Sequence, residues 1–258
     1  MEPIRSRRNQ RLARVRRLLG ERRARAREGL VAVEGEDLVA AALAAGIRPV
    51  DVLAAAGAPL EGGLVAAVEP VLALVEPDLL AEAGTMGHAA RIIAVVRQED
   101  LPDPPAQTPA VALALHGVAD PGNVGTLLRC VALLGPGAVA VGPASADPLG
   151  PRAVRASMGA IFHVPLLRTP EPERAFPGTR TVALTADADA RLDGLDLTGP
   201  VTFLVGAERQ GLPEALARRA DVQARIPIEI VAGIDSLNAA MAGTIALYER
   251  RRQLGRSS

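Results

Sequence analysis

Short apolar runs alternate with helix-forming segments along this chain of 258 residues, and this alternation restricts the fold more than any other feature. In the second half, apolar runs predict six strands, at 110–115, 138–141, 162–167, 180–185, 201–205 and 222–226. Helical spacing predicts helices over 123–134 and 236–252. The alternation is typical of an α/β fold with a mostly parallel sheet and helices on both faces. Functional residues are expected at the carboxyl ends of strands, after Leu115, Thr185, Val205 and Ile226.

The first hundred residues predict a smaller α/β domain in front of this sheet. Its expected elements include a strand over 30–35, helices over 36–45 and 77–83, and a strand over 91–96. Four prolines then fall within eight residues, from Pro102 to Pro109, which is typical of a stiff linker. The sequence therefore predicts a first domain, a linker and a second domain, with bounds at 1–99, 100–109 and 110–258.

The net charge of zero hides a strongly basic start. Residues 1–27 hold eleven arginines and two acids, a formal charge of +9. Four apolar residues at helical spacing predict an amphipathic helix there. Such a helix can bind nucleic-acid phosphates, lie on an anionic membrane or be a solvated face. A helix that lies on a membrane usually carries Trp or Phe on its apolar face, and this one has neither. A solvated face is also disfavoured, because nine uncompensated positive charges repel one another. RNA or DNA is therefore the favoured partner. RNA contacts are expected at Arg14, Arg16, Arg17, Arg22 and Arg23.

The composition excludes several chemistries. The chain contains no lysine, which excludes a Walker A loop and a pyridoxal Schiff base. Its one cysteine, Cys130, excludes an internal disulfide and a multi-cysteine zinc site, and it favours a reducing, cytoplasmic setting. Three scattered histidines, His88, His116 and His163, give no metal-ligand pattern, so no metal is expected. No apolar run is long enough to span a membrane.

Three loop motifs carry the functional signal. In HGVADPGNVGTLLRC, Asn123 is predicted to cap a helix, and Arg129 lies opposite the apolar stripe of that helix. In VGAERQGLP, Gly206 and Gly211 flank Glu208 in a turn where a ligand can approach the backbone closely. Each motif alone is compatible with an ordinary capped helix or turn.

The third motif, IPIEIVAGIDSLN, leads into the last helix. Asp235 or Ser236 is predicted to cap that helix, which leaves Asn238, a poor helix former, without a structural reason in its first turn. Taken together, the three motifs resemble those of the SPOUT superfamily of RNA methyltransferases, in its SpoU or TrmH-type 2′-O-methyltransferase branch, over residues 110–250. The matching residues are Asn123, Gly125, Arg129, Gly206, Glu208, Gly211, Ile226, Pro227, Ser236, Leu237 and Asn238. The first hundred residues resemble the ribosomal-protein-like substrate-binding domain found in front of such enzymes.

This resemblance implies an S-adenosylmethionine-dependent enzyme that methylates a ribose 2′-hydroxyl, in ribosomal or, alternatively, transfer RNA. It also implies a deep trefoil knot and a homodimer. A non-catalytic RNA-binding or ribosome-assembly protein is the remaining alternative. Cofactor contacts carried over by position are Leu184, Thr185, Gly206, Gly211, Ile226, Ile228 and Leu237. Catalytic roles carried over are Asn123, Arg129, Glu208, Ser236 and Asn238. The 226–236 loop is longer than the usual family loop.

Overall fold

A computed structural model describes residues 2–87, 90–229 and 236–256, with the backbone alone at Arg256. The chain divides into two compact units, the first formed by 1–102 with 149–163 and the second by 103–148 with 164–258. The helices are α1 (Gln10–Gly20), α2 (Arg22–Glu28), α3 (Glu36–Ala44), α4 (Gly62–Val68), α5 (Pro77–Ala83), α6 (Pro121–Leu134), α7 (Pro151–Ser157), α8 (Glu214–Ala217) and α9 (Ala239–Arg256). The strands are β1 (Leu30–Glu34), β2 (Asp51–Ala55), β3 (Leu72–Val75), β4 (Ile92–Arg97), β5 (Val111–Leu115), β6 (Ala138–Val141), β7 (Leu166–Arg168), β8 (Arg180–Leu184), β9 (Ala190–Arg191), β10 (Val201–Val205) and β11 (Val222–Arg225). The predicted domain bounds, 1–99, 100–109 and 110–258, stay a prediction.

The first unit is built on a four-stranded sheet in the order β1-β4-β2-β3. The basic segment packs onto it as two helices, so the prediction of a single helix is wrong. Its apolar residues Leu12, Val15, Leu18 and Leu19 are all buried, as the helical spacing requires. The break falls at Glu21, whose backbone is extended, and the buried guanidinium of Arg25, on α2, donates hydrogen bonds to the carbonyls of Leu18 and Leu19 at the end of α1.

The chain segment 149–163 belongs to the first unit, where α7 packs against β1. Glu34 of β1 is buried, and its Oε2 accepts a hydrogen bond from Arg155 Nη1 at 3.0 Å. The strand predicted over 162–167 is observed as β7, but its predicted start is wrong, because a short helical turn occupies 160–162 and β7 begins only at Leu166. Left-handed backbone at Met158, with φ of 49°, and Gly159, with φ of 88°, turns the chain before that segment.

The second unit is built on a seven-stranded sheet in the order β7-β6-β5-β10-β8-β11-β9, and every pair is parallel. Each residue of the central strands β5 and β10 is buried, which is the pattern of a parallel sheet covered on both faces. The predicted α/β class is thereby confirmed. The trefoil knot stays a prediction, because the chain path through 230–235 lies outside the described residues. Among the described helices, none is long and apolar enough to cross a membrane.

Candidate functional site

The first motif joins β5 to α6 through a loop at the carboxyl edge of the large sheet. Asp120 is the N-cap of α6, since its Oδ1 accepts a hydrogen bond from the backbone N–H of Asn123 at 3.0 Å. The prediction that Asn123 is the N-cap is therefore wrong. Pro121 is suited to the first helical position, so the helix begins there and Asn123 lies within its first turn.

Glu208, from the loop after β10, binds this helix terminus. Its Oε1 accepts hydrogen bonds from Asn123 Nδ2 at 2.8 Å and from the backbone N–H of Asp120 at 3.2 Å. Its Oε2 accepts one from the backbone N–H of Ala119 at 3.2 Å. Burial raises the pKa of Glu208, but these hydrogen bonds to the carboxylate outweigh burial and lower the pKa below its ordinary value. Glu208 is thus an ionised acceptor that ties the first two motifs together.

Gly206 permits a close approach of the chain to itself. A Cβ at this position would lie 2.2 Å from the carbonyl carbon of Gly211 and 2.3 Å from the backbone nitrogen of Leu212. The loop closes through paired backbone hydrogen bonds between Ala207 and Gly211, and Gly211 has a left-handed φ of 65°. The sequence motif suggested that glycine leaves room for a ligand, whereas at Gly206 the room is occupied by the loop itself.

One cavity of about 600 Å³ lies at this edge of the second unit, within the size range of small-molecule sites. Loops after β8, β10 and β11, together with the start of α9, form its walls. All seven residues expected to contact a cofactor line it: Leu184, Thr185, Gly206, Gly211, Ile226, Ile228 and Leu237. The hydroxyl oxygen of Thr185 is buried and has no hydrogen-bond partner in the described part of the chain. A bound molecule with a polar edge would satisfy that hydroxyl.

The five expected catalytic residues divide between this cavity and its surroundings. Glu208 and Ser236 line the cavity, whereas Asn123, Arg129 and Asn238 are absent from its described lining. Arg129 is exposed on α6, opposite the buried stripe as predicted, and has no hydrogen bond or ion pair within the described ranges.

Asn238 turns out to be the N-cap of α9, the helix that begins at Ala239. Its Oδ1 accepts hydrogen bonds from the backbone N–H groups of Ala240, at 2.8 Å, and Met241, at 3.4 Å. The prediction of a cap at Ser236 is therefore wrong, and its alternative, Asp235, lies outside the described residues. Asn238 has a structural reason after all, because its side chain satisfies backbone donors of the first turn.

Sequence reasoning missed five polar residues of the cavity lining: Asp187, Arg209, Gln210, Glu214 and Gln223. Asp187 lies two positions after Thr185 in a loop that was expected to be functional, so its position gave a usable signal. Gln223 lies inside β11, where nothing in the sequence marks it. No group of His, Cys, Asp and Glu side chains suited to a metal ion occurs among the residues that the structure describes.

The arginines expected to contact RNA differ in what they bind within the first unit. Arg14 lies 3.8 Å from the buried carboxylate of Asp51, and Arg17 lies 3.4 Å from Glu28. Arg16 Nη1 donates to the carbonyl of Arg7 at 3.0 Å. The remaining two are exposed and, over the described ranges, have neither an ion pair nor a hydrogen bond from the side chain: Arg22 and Arg23.

Comparison with known proteins adds to this geometry. The sequence model described as the SpoU rRNA Methylase family matches residues 110–248. The chain is 33% identical over 190 residues to a 23S rRNA (uridine(2479)-2′-O)-methyltransferase of Streptomyces viridochromogenes, which covers 69% of this chain and 66% of that protein. A Mycobacterium sp. protein named as an uncharacterized tRNA/rRNA methyltransferase is 35% identical over 150 residues, with 56% of this chain and 47% of that protein covered. The chain thus spans about half to two thirds of these curated relatives.

Solved structures match over nearly the whole chain. The SpoU methyltransferase AviRb from Streptomyces viridochromogenes, in complex with AdoMet, superposes with a TM-score of 0.81 at 29% identity, covering 96% of this chain and 98% of that one. An AdoMet-bound rRNA methyltransferase from Sinorhizobium meliloti superposes with a TM-score of 0.82 at 27% identity, covering 98% of both chains. Both structures were solved with the same small molecule bound.

Proposed function

Since the chain belongs to the SpoU rRNA Methylase family, we propose that it transfers the methyl group of S-adenosylmethionine to a ribose 2′-hydroxyl of RNA. One observation carries the proposal: the seven expected cofactor residues, drawn from three loops and a helix start, line a single cavity. The relative named as a 23S rRNA 2′-O-methyltransferase and the AdoMet complexes of AviRb and the Sinorhizobium enzyme support it.

The cavity suits S-adenosylmethionine in size and in chemistry. Its apolar wall, with Leu184, Leu212 and Leu237, can cover an adenine ring, and the unpartnered hydroxyl of Thr185 can hydrogen-bond to a polar edge of the ligand. When bound, the cofactor supplies an electrophilic methyl group on a sulfonium. No metal is needed for this transfer.

The residues around the cavity have separable roles in the proposed reaction. The attacking 2′-hydroxyl is weakly acidic, so its developing negative charge must be stabilised. Arg129 holds the RNA phosphate and that developing charge, whereas a water or neighbouring group takes the proton, because a guanidinium is very hard to deprotonate. Arg129 follows Asn123 by six residues, roughly 9 Å along α6. By fixing the start of α6 through Asn123, Glu208 therefore positions Arg129.

Ribosomal RNA, most specifically 23S RNA, is the proposed substrate, and the basic segment 1–27 supplies the phosphate contacts. The proposed homodimer is supported by large apolar side chains exposed on α6 and α9: Leu133 is 71% exposed, Met241 53% and Tyr248 58%. Light scattering of the full chain tests the dimer, and a monomer at micromolar concentration would contradict it.

A single cysteine favours a cytoplasmic location.

Methyl transfer is tested with the full chain, radiolabelled S-adenosylmethionine, and 23S ribosomal or transfer RNA lacking the modification. We expect 2′-O-methylation of the ribosomal RNA and binding of the cofactor by calorimetry. Arg129→Ala should reduce methyl transfer at least a hundredfold with cofactor affinity changed less than threefold, because Arg129 lies outside the cavity lining. Arg219→Ala, which alters an exposed arginine of the same unit, is the matched control. A chain that binds RNA but not the cofactor would instead support the non-catalytic alternative.

A further inference from the structure

The loop between β8 and β9 passes from one side of β11 to the other. Leu184, the last residue of β8, pairs with Ala224 of β11, and Ala190, the first residue of β9, pairs with the same Ala224 on its opposite side. Residues 185–189 therefore cross the carboxyl end of β11, and we call them the crossing loop. Its first three residues line the cavity: Thr185, Ala186 and Asp187.

Arg225, the last residue of β11, holds the far half of the crossing loop. Its Nη1 donates hydrogen bonds to the carbonyl oxygens of Ala188, at 2.6 Å, and Asp189, at 2.7 Å. At the near end, the backbone N–H of Thr185 donates to the carbonyl of Ala224 at 3.1 Å. The loop is thus tied to β11 by the backbone at both ends, and the side chain of Arg225 adds hydrogen bonds to its last two residues.

We propose that Arg225 is a positioning residue for the cofactor, acting through the crossing loop. Asp189 is exposed, Ala188 is buried, and β9 pairs with β11 from Ala190 onward. Between those two β11 pairings, the guanidinium of Arg225 supplies the described side-chain hydrogen bonds that hold the far half of the loop. Arg225 keeps Thr185 and Asp187 in the arrangement that binds the cofactor, so the cofactor need not order the loop. The inference rests on the proposed function, because the ligand of the cavity is taken to be S-adenosylmethionine.

The binding test compares Arg225→Met, Arg225→Lys and a matched control in the full chain. Arg180 starts β8 at the opposite edge of the sheet and also donates to a backbone carbonyl, that of Asp196 at 3.2 Å, so Arg180→Met removes the same kind of bond far from the cavity. Calorimetry with S-adenosylmethionine should show about tenfold weaker binding for Arg225→Met. This is the loss expected if the crossing loop of the free variant adopts its cofactor-binding arrangement in only about a tenth of the molecules. Arg225→Lys, which keeps a charged donor, should bind with intermediate affinity, and Arg180→Met should bind like the parent chain.

Hydrogen exchange and kinetics separate positioning from direct contact. In the cofactor-free protein, amides of the crossing loop should exchange faster in Arg225→Met than in the parent chain. In Arg225→Met the KM for S-adenosylmethionine should rise. The kcat at saturating cofactor should stay within about twofold of the parent value, and the KM for RNA should not change. Equal affinities for Arg225→Met and Arg180→Met, or unchanged exchange with weakened binding, would overturn the inference and leave the proposed function intact. If Arg225→Met does not fold, an Arg225→Lys variant with parental affinity and exchange would overturn it equally. Failure of the parent chain to bind the cofactor would overturn the proposed function itself.

Discussion

At the scale of single residues, Glu208 is best understood as a structural acceptor. Both of its oxygens receive hydrogen bonds from the start of α6, and these include the side chain of Asn123. A carboxylate that satisfies three donors is held in the ionised state and is a poor proton acceptor. In the proposed reaction, Glu208 therefore acts through the helix that carries Arg129.

Glu208→Gln should destabilise the fold in a pH-dependent way. The amide NH₂ of Gln would face a hydrogen-bond donor at the start of α6. We expect this to lower the free energy of unfolding, measured in urea at pH 7, by about 1–2 kcal/mol. Because the pKa of Glu208 is lower in the folded state, its contribution is complete above the ordinary Glu pKa, about 4.3, and is lost as the pH falls through the folded value. The difference between the two chains should therefore shrink below about pH 4. Glu171→Gln, at an exposed pair with Arg174, should show less than about 0.5 kcal/mol.

Gly206→Ala should destabilise the second unit and weaken cofactor binding. The new Cβ would meet backbone atoms of Gly211 and Leu212, which cannot move without opening the loop, so we expect a loss of about 1–3 kcal/mol in thermal unfolding. Gly199→Ala is the matched control, because a Cβ at Gly199 has no neighbour within 4 Å in the described structure. Equal melting temperatures for the two variants would contradict the steric reason.

The site could be predicted from the sequence where position along a strand determined it. Gly206 and Ile226 follow strand ends, so their convergence on one cavity follows from a parallel sheet. Partnerships between motifs could not be predicted. The bond from Asn123 to Glu208 spans 85 residues, and nothing in either motif shows which donor meets which acceptor.

At the scale of elements, both motif-bearing helices begin at residues other than those predicted. Each helix start has more than one residue that could cap it, Asp120 and Asn123 at α6 and Ser236 and Asn238 at α9. Their cap propensities are similar, so the path of the preceding loop decides between them. Uninterrupted apolar runs were predicted accurately, as in β6 and β10, and the helix over 77–83 matches α5. The strand β9 was missed because two residues give no measurable periodicity. Helix α7 was also missed, although its seven residues are as many as those of α5.

Asn238 can be tested as a helix cap and as a catalytic group separately. Asn238→Asp keeps the oxygen that accepts from Ala240 and should leave the stability of α9 within about 0.5 kcal/mol. Asn238→Ala removes the cap and should cost about 1 kcal/mol in urea unfolding. If the amide also orients RNA or cofactor, both variants lose methyl transfer. If capping is its entire role, Asn238→Asp stays active.

At the scale of the whole molecule, the arginines of the first 27 residues fall into two groups, those paired within the first unit and those exposed without a described partner. Arg11 binds the buried Asp51, and Arg25 is buried against α1, so these arginines stabilise the first unit. Arg22 and Arg23 are exposed without such partners in the described structure, which leaves their charge available for phosphate. A count of arginines in the sequence could not distinguish these two groups.

Replacing Arg22 and Arg23 by Gln should weaken RNA binding and lower its salt dependence. Each phosphate contact contributes about 0.7–0.9 to the slope of log K against log salt, so the slope should fall by up to about 1.8. The matched control is Arg5→Gln with Arg7→Gln, in the same segment and of equal charge change, since these residues pair with Glu76 and Glu82. Fluorescence anisotropy with a 23S RNA fragment measures both. Identical slopes for the two double variants would show that the contacts lie elsewhere.

The placement of 149–163 in the first unit affects how the protein is made. The polypeptide passes between the two units three times, after 102, 148 and 163, so α7 reaches β1 only when β5, α6 and β6 have already been synthesised. A nascent chain released from the ribosome in order of sequence cannot complete its first unit before its second has begun. A single crossover between genes cannot exchange either unit whole: one after residue 102 would pair β1 from one ancestor with α7 from another, and one after residue 163 would divide the second unit.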